Sequence, residues 1–480
     1  MGTYCLAVDI GASSGRMIAG TIIAGKLELT EVHRFENKII QKGQHSCWDT
    51  DRLFQEIKTG IMKCKKQDIQ PQSIGIDTWA VDFVLLDGND NLLTDCVSYR
   101  DPRTDGMMEK VFEIFSKERL YLETGIQFQK FNTIYQLYSL QQNCPEVLKK
   151  AESFLLIPEY FNFLLAGVKA SEYTNASSTQ LVNAFTKKWD DSLMDVLSIK
   201  KEMFHEIKMP KTVLGPLRKE LAAEFGMDIK VILPATHDTG SAVISAPVQE
   251  DAIYISSGTW SLIGVENPFP ICVTKALDYN FTNEGGMDHQ FRFLKNIMGL
   301  WMIQEVKRNY QDEFTFAELA CLAQEELPFQ AMVDVNDDRF LKPVNMIEEI
   351  QDYCRETGQT IPLTPGEVAR CVFDSLAVSY KEAVEQIEHI FEKEFSQINV
   401  IGGGCQNEKL NQLIANVTGK DVYAGPVEAT AIGNLAVQLM ALGEVKDIKE
   451  VRKIIYQSFE VKKYQPENGQ IPIMQRSAVK

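Results

Sequence analysis

Between two apolar runs, Ile229-Lys-Val-Ile-Leu233 and Ala242-Val-Ile-Ser-Ala246, stands the polar stretch Pro234-Ala-Thr-His-Asp-Thr-Gly240-Ser. The first run reads as a short buried strand, the second as the start of a helix or another buried segment. A strand that ends in His237-Asp238-Thr239 presents polar groups where open α/β sheets hold ligands. A carboxylate there can take a proton from an alcohol, which makes Asp238 the candidate catalytic base. The competing reading is a helix cap, because Asp and Thr before an apolar run are good N-caps.

A second polar turn, Asp9-Ile-Gly-Ala-Ser-Ser-Gly-Arg16, lies between two β-rich runs within residues 4–23. A P-loop would carry G-x-x-x-x-G-K-[ST] ahead of a helix, and here both the Lys and the helix are missing. The turn still offers N–H groups and hydroxyls to an anion, although an ordinary hairpin reads the same way. Asp9 sits inside an apolar strand at its turn end, where a buried carboxylate needs a cation or donors. Residues 252–265 repeat the pattern around Ser256-Ser-Gly-Thr259. Two such hairpins, each opening one half of the chain, predict a duplicated domain that grips a phosphate from two sides. The strand Ile398-Asn-Val-Ile401 running into Gly402-Gly-Gly404 ahead of a helix would let a nucleotide approach the backbone.

Ser73 to Leu86 reads as strand, polar turn and strand. Its Asp77, Trp79 and Asp82 are candidate sugar contacts, because carboxylates fork onto paired hydroxyls and an indole covers a sugar face. A plain hairpin with a packed Trp fits equally. Phe128, beside Gln127, is a candidate pocket border in a helical, aromatic-rich region over 99–190. Asn296 and Gln304, eight residues apart, are expected on one face of one helix.

The elements that must position these groups follow from periodicity. Leu27 to Phe35 reads as a strand, and Leu53, Phe54, Ile57 and Ile61 mark an amphipathic helix. Apolar spacing predicts a long helix from about Val368 to Phe391 and another over Ala429–Leu442, with a charged, uninformative tail beyond. Pro247-Val-Gln-Glu-Asp251 is the expected domain junction, which divides the chain into residues 1–246 and 247–480. A length of 480 residues suits two domains. Hydrophobic content of 45% and charged content of 24% are those of a globular chain.

A net charge of -17 argues against nucleic acid as the main partner. No apolar run is long enough to span a bilayer. Cys5-Leu-Ala-Val8 opens directly as a strand, so no leader peptide is expected, and Leu6 occupies the place where a myristoylation signal wants Ser or Thr. A cytoplasmic location is expected. Ten cysteines without a C-x-x-C pair read as reduced core residues, and six histidines without ligand spacing argue against structural zinc. Nothing in the sequence fixes an oligomeric state.

Taken together, Val8-Asp-Ile-Gly-Ala-Ser-Ser-Gly-Arg16, Gly75-Ile-Asp-Thr-Trp79, Glu172-Tyr-Thr-Asn-Ala176, His237-Asp-Thr239, Ser256-Ser-Gly-Thr-Trp-Ser261, Lys295-Asn-Ile-Met-Gly-Leu-Trp301 and Gly402-Gly-Gly-Cys-Gln-Asn407 resemble the FGGY family of carbohydrate kinases over nearly the whole chain. The resemblance implies an α/β fold of two actin-like, ribonuclease-H-like domains with ATP and a sugar in the cleft between them. It implies that Ala12, Ser13, Ser14, Gly15 and Arg16 meet ATP phosphates, with Thr259, Gln304 and Gly402 also on ATP. It places Ala80, Phe128, His237, Asp238, Thr239 and Asn296 at the sugar, Asp238 as proton acceptor, and Asp9 near Mg2+. Ala80 departs from the Gly usual at that position, and its methyl would narrow the pocket. Some members are described with a disulfide at positions matching Cys354 and Cys371, a bond not expected in a reducing cytoplasm. An actin- or Hsp70-like ATPase without a sugar substrate is the rival from another class.

Overall fold

The computed structural model describes residues 2–247 and 252–467. Four of the five residues of the expected junction, 248–251, lie outside the described residues. The chain forms two compact units. The first comprises Met1–Pro247, Val265–Lys295 and Glu428–Phe459; the second comprises Val248–Gly264, Asn296–Val427 and Glu460–Lys480.

In the first unit, β1 (Tyr4–Ile10), β2 (Ser14–Ile23), β3 (Lys26–Glu36), β4 (Pro71–Thr78), β5 (Val213–Pro216) and β6 (Lys230–Ile232) form one sheet in the order β5-β6-β4-β1-β2-β3. β1 is apolar along nearly its whole length because both its faces are covered. Leu6, Val8 and Ile10 pack with Leu53, Ile57 and Ile61 of the helix Thr50–Lys66. Cys5 and Ala7, on the other face, pack with Ile432, Leu435 and Ala436 of the helix Ala429–Ala441. Each fully buried Leu, Ile or Val contributes about 1.5–3 kcal/mol. The helix Thr50–Lys66 starts where the Asp49 carboxylate accepts from the Arg52 N–H, and three lysines in its last turn complement its dipole.

In the second unit, β7 (Ala252–Ser257) and β8 (Trp260–Asn267, whose last three residues belong to the first unit) form the second hairpin. Two further strands follow in sequence: β9 (Thr282–Gly285), which belongs to the first unit, and β10 (Phe291–Met298), of which only the last three residues belong to the second. β7 then pairs parallel with β11 (Gln397–Ile401), β11 parallel with β12 (Asp421–Ala424), and β12 antiparallel with β13 (Lys462–Tyr464). The first unit repeats this sequence of pairings. β2 is antiparallel to β1, β1 parallel to β4, β4 parallel to β6, and β6 antiparallel to β5. The duplication expected from two like hairpins is therefore present in this run of pairings, although one sheet has six strands and the other seven. The long helix, Pro365–Phe391, begins with Pro at its first turn and a capping box between Thr364 and Glu367. Tyr380 on that helix shares a 2.6 Å hydrogen bond with Ser261 of β8.

Four expectations need correction. Ser73–Leu86 is not a hairpin. Its first strand is β4, while Phe83–Leu86 pairs with Ser153–Leu156 in a separate two-stranded sheet. Asn296 and Gln304 do not share a helix: Asn296 is in β10 and Gln304 in the helix Trp301–Asn309, because Gly299 ends the strand between them. The stretch after Leu442 is not featureless; the helix Ile448–Ser458 buries Val451, Arg452 and Ile455. The helix after β6 begins at Asp238, earlier than the Ala242 run suggested. All ten cysteines, Cys354 and Cys371 included, are free thiols. Among the described residues, no helix is long and apolar enough to cross a membrane.

Candidate functional site

Three parallel strands of the first unit end side by side, and each delivers a carboxylate. Asp9 on β1 is in register with Asp77 on β4. Beyond β4, Thr78 bridges to His237, and the Thr78 N–H donates to the Thr236 carbonyl at 2.9 Å. That contact brings Asp238 to the same edge, the strand end where parallel sheets place ligands.

Asp238 is the first residue of the helix Asp238–Ile244, with His237 as its N-cap. The cap reading is therefore half right: a helix starts here, but the Asp238 carboxylate caps only its neighbour, accepting from the Thr239 N–H at 2.6 Å and the Thr239 hydroxyl at 3.2 Å. The Asp238 side chain keeps 30% exposure, against 9% for His237. Partial desolvation, with the Asp9 charge added, holds its carboxyl above the usual range against the lowering pull of His237 and Thr239. A carboxylate that is reachable and made more basic is suited to accept a proton.

Asp9 and Arg16 face each other across the first hairpin, with Nε 2.9 Å from Oδ2. Arg16 also reaches Glu428 at 2.8 Å. The turn closes through the Gly11 N–H to the Ser14 carbonyl at 2.9 Å, leaving Ser13 and Ser14 exposed and Ala12 half-buried. Gly15 is there for packing: a Cβ would stand 2.2 Å from the Phe35 ring. Asp77 is fully buried; Asn434 donates to its Oδ2 at 2.6 Å, while Oδ1 has no partner. Burial and the neighbouring Asp9 push the Asp77 carboxyl well up.

Asp82 and Trp79 are not open to a sugar. The Asp82 carboxylate accepts from the indoles of Trp48 at 2.6 Å and Trp79 at 2.9 Å, the Tyr99 N–H and the Gln136 amide. Trp79 packs on Trp48 with centroids 4.3 Å apart. These two candidates are framework; of the alternative reading, a hairpin with a packed Trp, the packed Trp holds and the hairpin does not. Ala80 is half-buried beside Val81, whose φ of 69° is unusual for a β-branched residue. The Thr133 hydroxyl donates to the Val81 carbonyl at 2.7 Å and holds that strained turn. Phe128 is buried edge-on against Phe112, its N–H tied to Asn280 at 3.0 Å.

Sequence reasoning missed the groups behind His237. Its Nδ1 lies 3.1 Å from Arg292 Nη2 and 3.2 Å from Glu284 Oε2, and Arg292 and Glu284 are 3.0 Å apart. Burial alone would raise the Glu284 carboxyl, but Arg292 and His237 outweigh it and hold it low. Also missed was Glu159, which meets Thr236 one residue before His237; Glu172, on the same hydroxyl, stood only within the motif Glu172–Ala176 and without a role.

The second unit gathers three of its four candidates. The Gly299 and Trp301 N–H groups donate to the Thr259 carbonyl at 3.2 and 3.1 Å, which sets the helix carrying Gln304 against the hairpin turn. Gly402 has φ of 82°, and a Cβ there would stand 3.2 Å from the Ser257 carbonyl oxygen at the same turn. Asn296 is half-buried on β10.

Among the described residues, no three acidic, histidine or cysteine side chains converge closely enough to hold a metal by themselves. The residues present nonetheless fit a divalent cation. Asp9 is a hard oxygen donor at the strand edge, and the Asp77 carboxyl in register with it has an orphaned buried oxygen. Oxygens of this kind suit Mg2+, which keeps waters and binds through one or two carboxylates plus phosphate.

Residues 4–245 match the N-terminal domain of the FGGY family of carbohydrate kinases, and residues 253–442 match its C-terminal domain. The chain belongs to that family. It is 67% identical over 461 residues to a rhamnulokinase of Halalkalibacterium halodurans, covering 96% of this chain and 98% of that one. It is 48% identical over 464 residues to a rhamnulokinase of Bacillus subtilis, covering 96% and 95%. In fold it is similar to a gluconate kinase from Lactobacillus acidophilus, with a TM-score of 0.82 at 20% identity and coverage of 97% and 94%. It is likewise similar to a Plasmodium falciparum glycerol kinase with ADP, with a TM-score of 0.76 at 15% identity and coverage of 97% and 94%.

Proposed function

We propose that the chain transfers the γ-phosphoryl group of ATP to the 1-hydroxyl of L-rhamnulose, giving L-rhamnulose 1-phosphate and ADP in the cytoplasm. The observation that carries the reading is the partly open, basic carboxylate of Asp238 at a parallel strand end. The choice of sugar is supported by relatives of that name at 67% and 48% identity over nearly full chains.

Asp238 accepts the proton of the attacking hydroxyl as its oxygen bonds to phosphorus and the bond to the ADP oxygen breaks. A carboxylate is far less basic than an alkoxide, so the proton moves late. His237, Thr239, Ala80, Phe128 and Asn296 bind and orient the sugar. Ala12 to Arg16, Thr259, Gln304 and Gly402 hold ATP. Mg2+, when bound, neutralises phosphate charge, and Asp9 would hold it through water. Residues 1–246 form the domain with the first hairpin and the sugar site, residues 247–480 the domain with the second hairpin and the adenosine site.

The test is ADP release with ATP and a panel of L-rhamnulose, L-fuculose, xylulose and no sugar. L-Rhamnulose should give the highest kcat/KM and the no-sugar control almost none. A better rate on another ketose would overturn the substrate, and sugar-independent ADP release would overturn the kinase reading.

A further inference from the structure

We propose that Val81 is the centre of a strained turn that aims Ala80 at the sugar, and that Thr133 is the positioning residue that holds this turn. The inference rests on the kinase reading above, because only that reading puts a sugar beside Ala80.

β4 ends at Thr78, which bridges to His237, one residue before Asp238. The Thr78 hydroxyl donates to the Trp79 carbonyl at 2.7 Å, and the Trp79 N–H donates to the Ile10 carbonyl at 3.3 Å. Ala80 is therefore delivered at the sheet edge that carries Asp238. There the chain reverses within three residues. The Asp82 N–H donates to the Ala80 carbonyl at 3.0 Å, across a Val81 whose φ is 69°. A hydrogen bond that spans one residue of positive φ is the rare, strained form of the γ-turn. A β-branched residue at its centre raises the cost, whereas glycine would adopt that φ freely. Such strain persists only where the surroundings over-determine it, and it gathers at ligand sites.

The surroundings here can be named. Beyond the turn, the indoles of Trp48 and Trp79 grip the Asp82 carboxylate, and the Ile157 N–H donates to the Asp82 carbonyl at 3.3 Å. At its centre, the Val81 carbonyl accepts from the Thr133 hydroxyl at 2.7 Å and lies 3.3 Å from the Gln136 amide nitrogen. That nitrogen has two N–H bonds and two nearer acceptors, the Phe131 carbonyl at 2.9 Å and Asp82 Oδ1 at 3.1 Å. The Gln136 oxygen accepts from Arg103 at 2.5 Å, so the amide is fixed in that orientation. Thr133 is thus the donor on which the buried Val81 carbonyl depends. Thr133 opens the helix Thr133–Asn143, which is anchored elsewhere, the Ile134 N–H donating to the Thr179 carbonyl at 3.1 Å.

Without the hydroxyl, Val81 would relax toward negative φ and re-aim the peptide that carries Ala80. Thr133 then governs how closely Ala80 meets the sugar, although it is not itself a sugar contact.

The test is the steady-state kinetics of full-length T133V, T133S, V81G and V81G/T133V on L-rhamnulose and ATP. T133V should raise the KM for the sugar about tenfold and leave the KM for ATP within about twofold. T133S keeps the donor and should stay within about twofold of the wild type. V81G needs no clamp, so adding T133V to it should change the sugar KM less than about threefold. A T133V sugar KM equal to that of the wild type would overturn the proposal, as would an equal rise in both KM values. A tenfold rise in sugar KM on adding T133V to V81G would also overturn it, because the hydroxyl would then hold something other than strain. If T133V does not fold, V81G must restore folding, and failure of both would reject the proposal. The wild type separates the two readings: no sugar-dependent turnover overturns both, whereas normal turnover beside an unaffected T133V overturns this one alone.

Discussion

Glu159 and Glu172 meet at the hydroxyl of Thr236, 2.8 Å from Glu159 Oε1 and 2.9 Å from Glu172 Oε2. One hydroxyl proton cannot serve two carboxylates, so a proton kept on Glu159 completes the set. Burial, then the Glu172 charge, pushes the Glu159 carboxyl up to about 8. The folded chain thus keeps a proton that the unfolded chain releases above the ordinary value of 4.5. The stability this contributes is whole below that value and is lost as pH rises to about 8, at no more than about 1.4 kcal/mol per pH unit. Denaturant midpoints from pH 5 to 9 should fall for the wild type, and E159Q should flatten the slope; an equal slope in both would reject the assignment. None of this was legible in the sequence. Glu159 sits in an apolar helix, and its partners come from segments 13 and 77 residues away. Glu284 was hidden in the same way, with His237 on a distant strand end. Asp9, Asp238 and the glycine turns were legible because local pattern alone marks a polar group at the end of an apolar strand.

The helix that starts at Asp238 is pressed against the helix Ala429–Ala441. A Cβ at Gly433 would stand 1.8 Å from the Ser241 carbonyl oxygen. Backbone cannot rotate away as a side chain can, so G433A must force the two helices apart. It should cost about 1–3 kcal/mol in urea unfolding and lower kcat in parallel, since the displaced helix carries the base. Unchanged stability would contradict a close contact between the two helices. On its far side the same helix is tied to the sheet. Asn434 and Gln438 donate to the Gly75 and Leu6 carbonyls at 3.1 and 3.0 Å. Element types were readable from apolar periodicity, as in β1, β2 and the helix Pro365–Phe391. Pairings were not. Ser73–Leu86 has the pattern of a hairpin, but β4 lies between β1 and β6, and that place is set by contacts with residues far along the chain.

At the scale of the molecule, the two units repeat one scheme of strand pairing, yet the first is assembled from three stretches of chain. The helices Ala429–Ala441 and Ile448–Ser458 return to cover β1 to β3, a packing debt no local pattern reveals. Both hairpins were recognisable because each opens its half of the sequence. Nucleotide affinity should be largely separable from the base. ATP with Mg2+ at a hundredfold excess over its Kd should stabilise the wild type by about 2.7 kcal/mol, and D238N should respond alike. The most direct measurement is the turnover of D238N on L-rhamnulose with that thermal shift recorded beside it. The account predicts a loss of about 10²- to 10⁴-fold in kcat with the ATP shift intact. Near-wild-type turnover would contradict it.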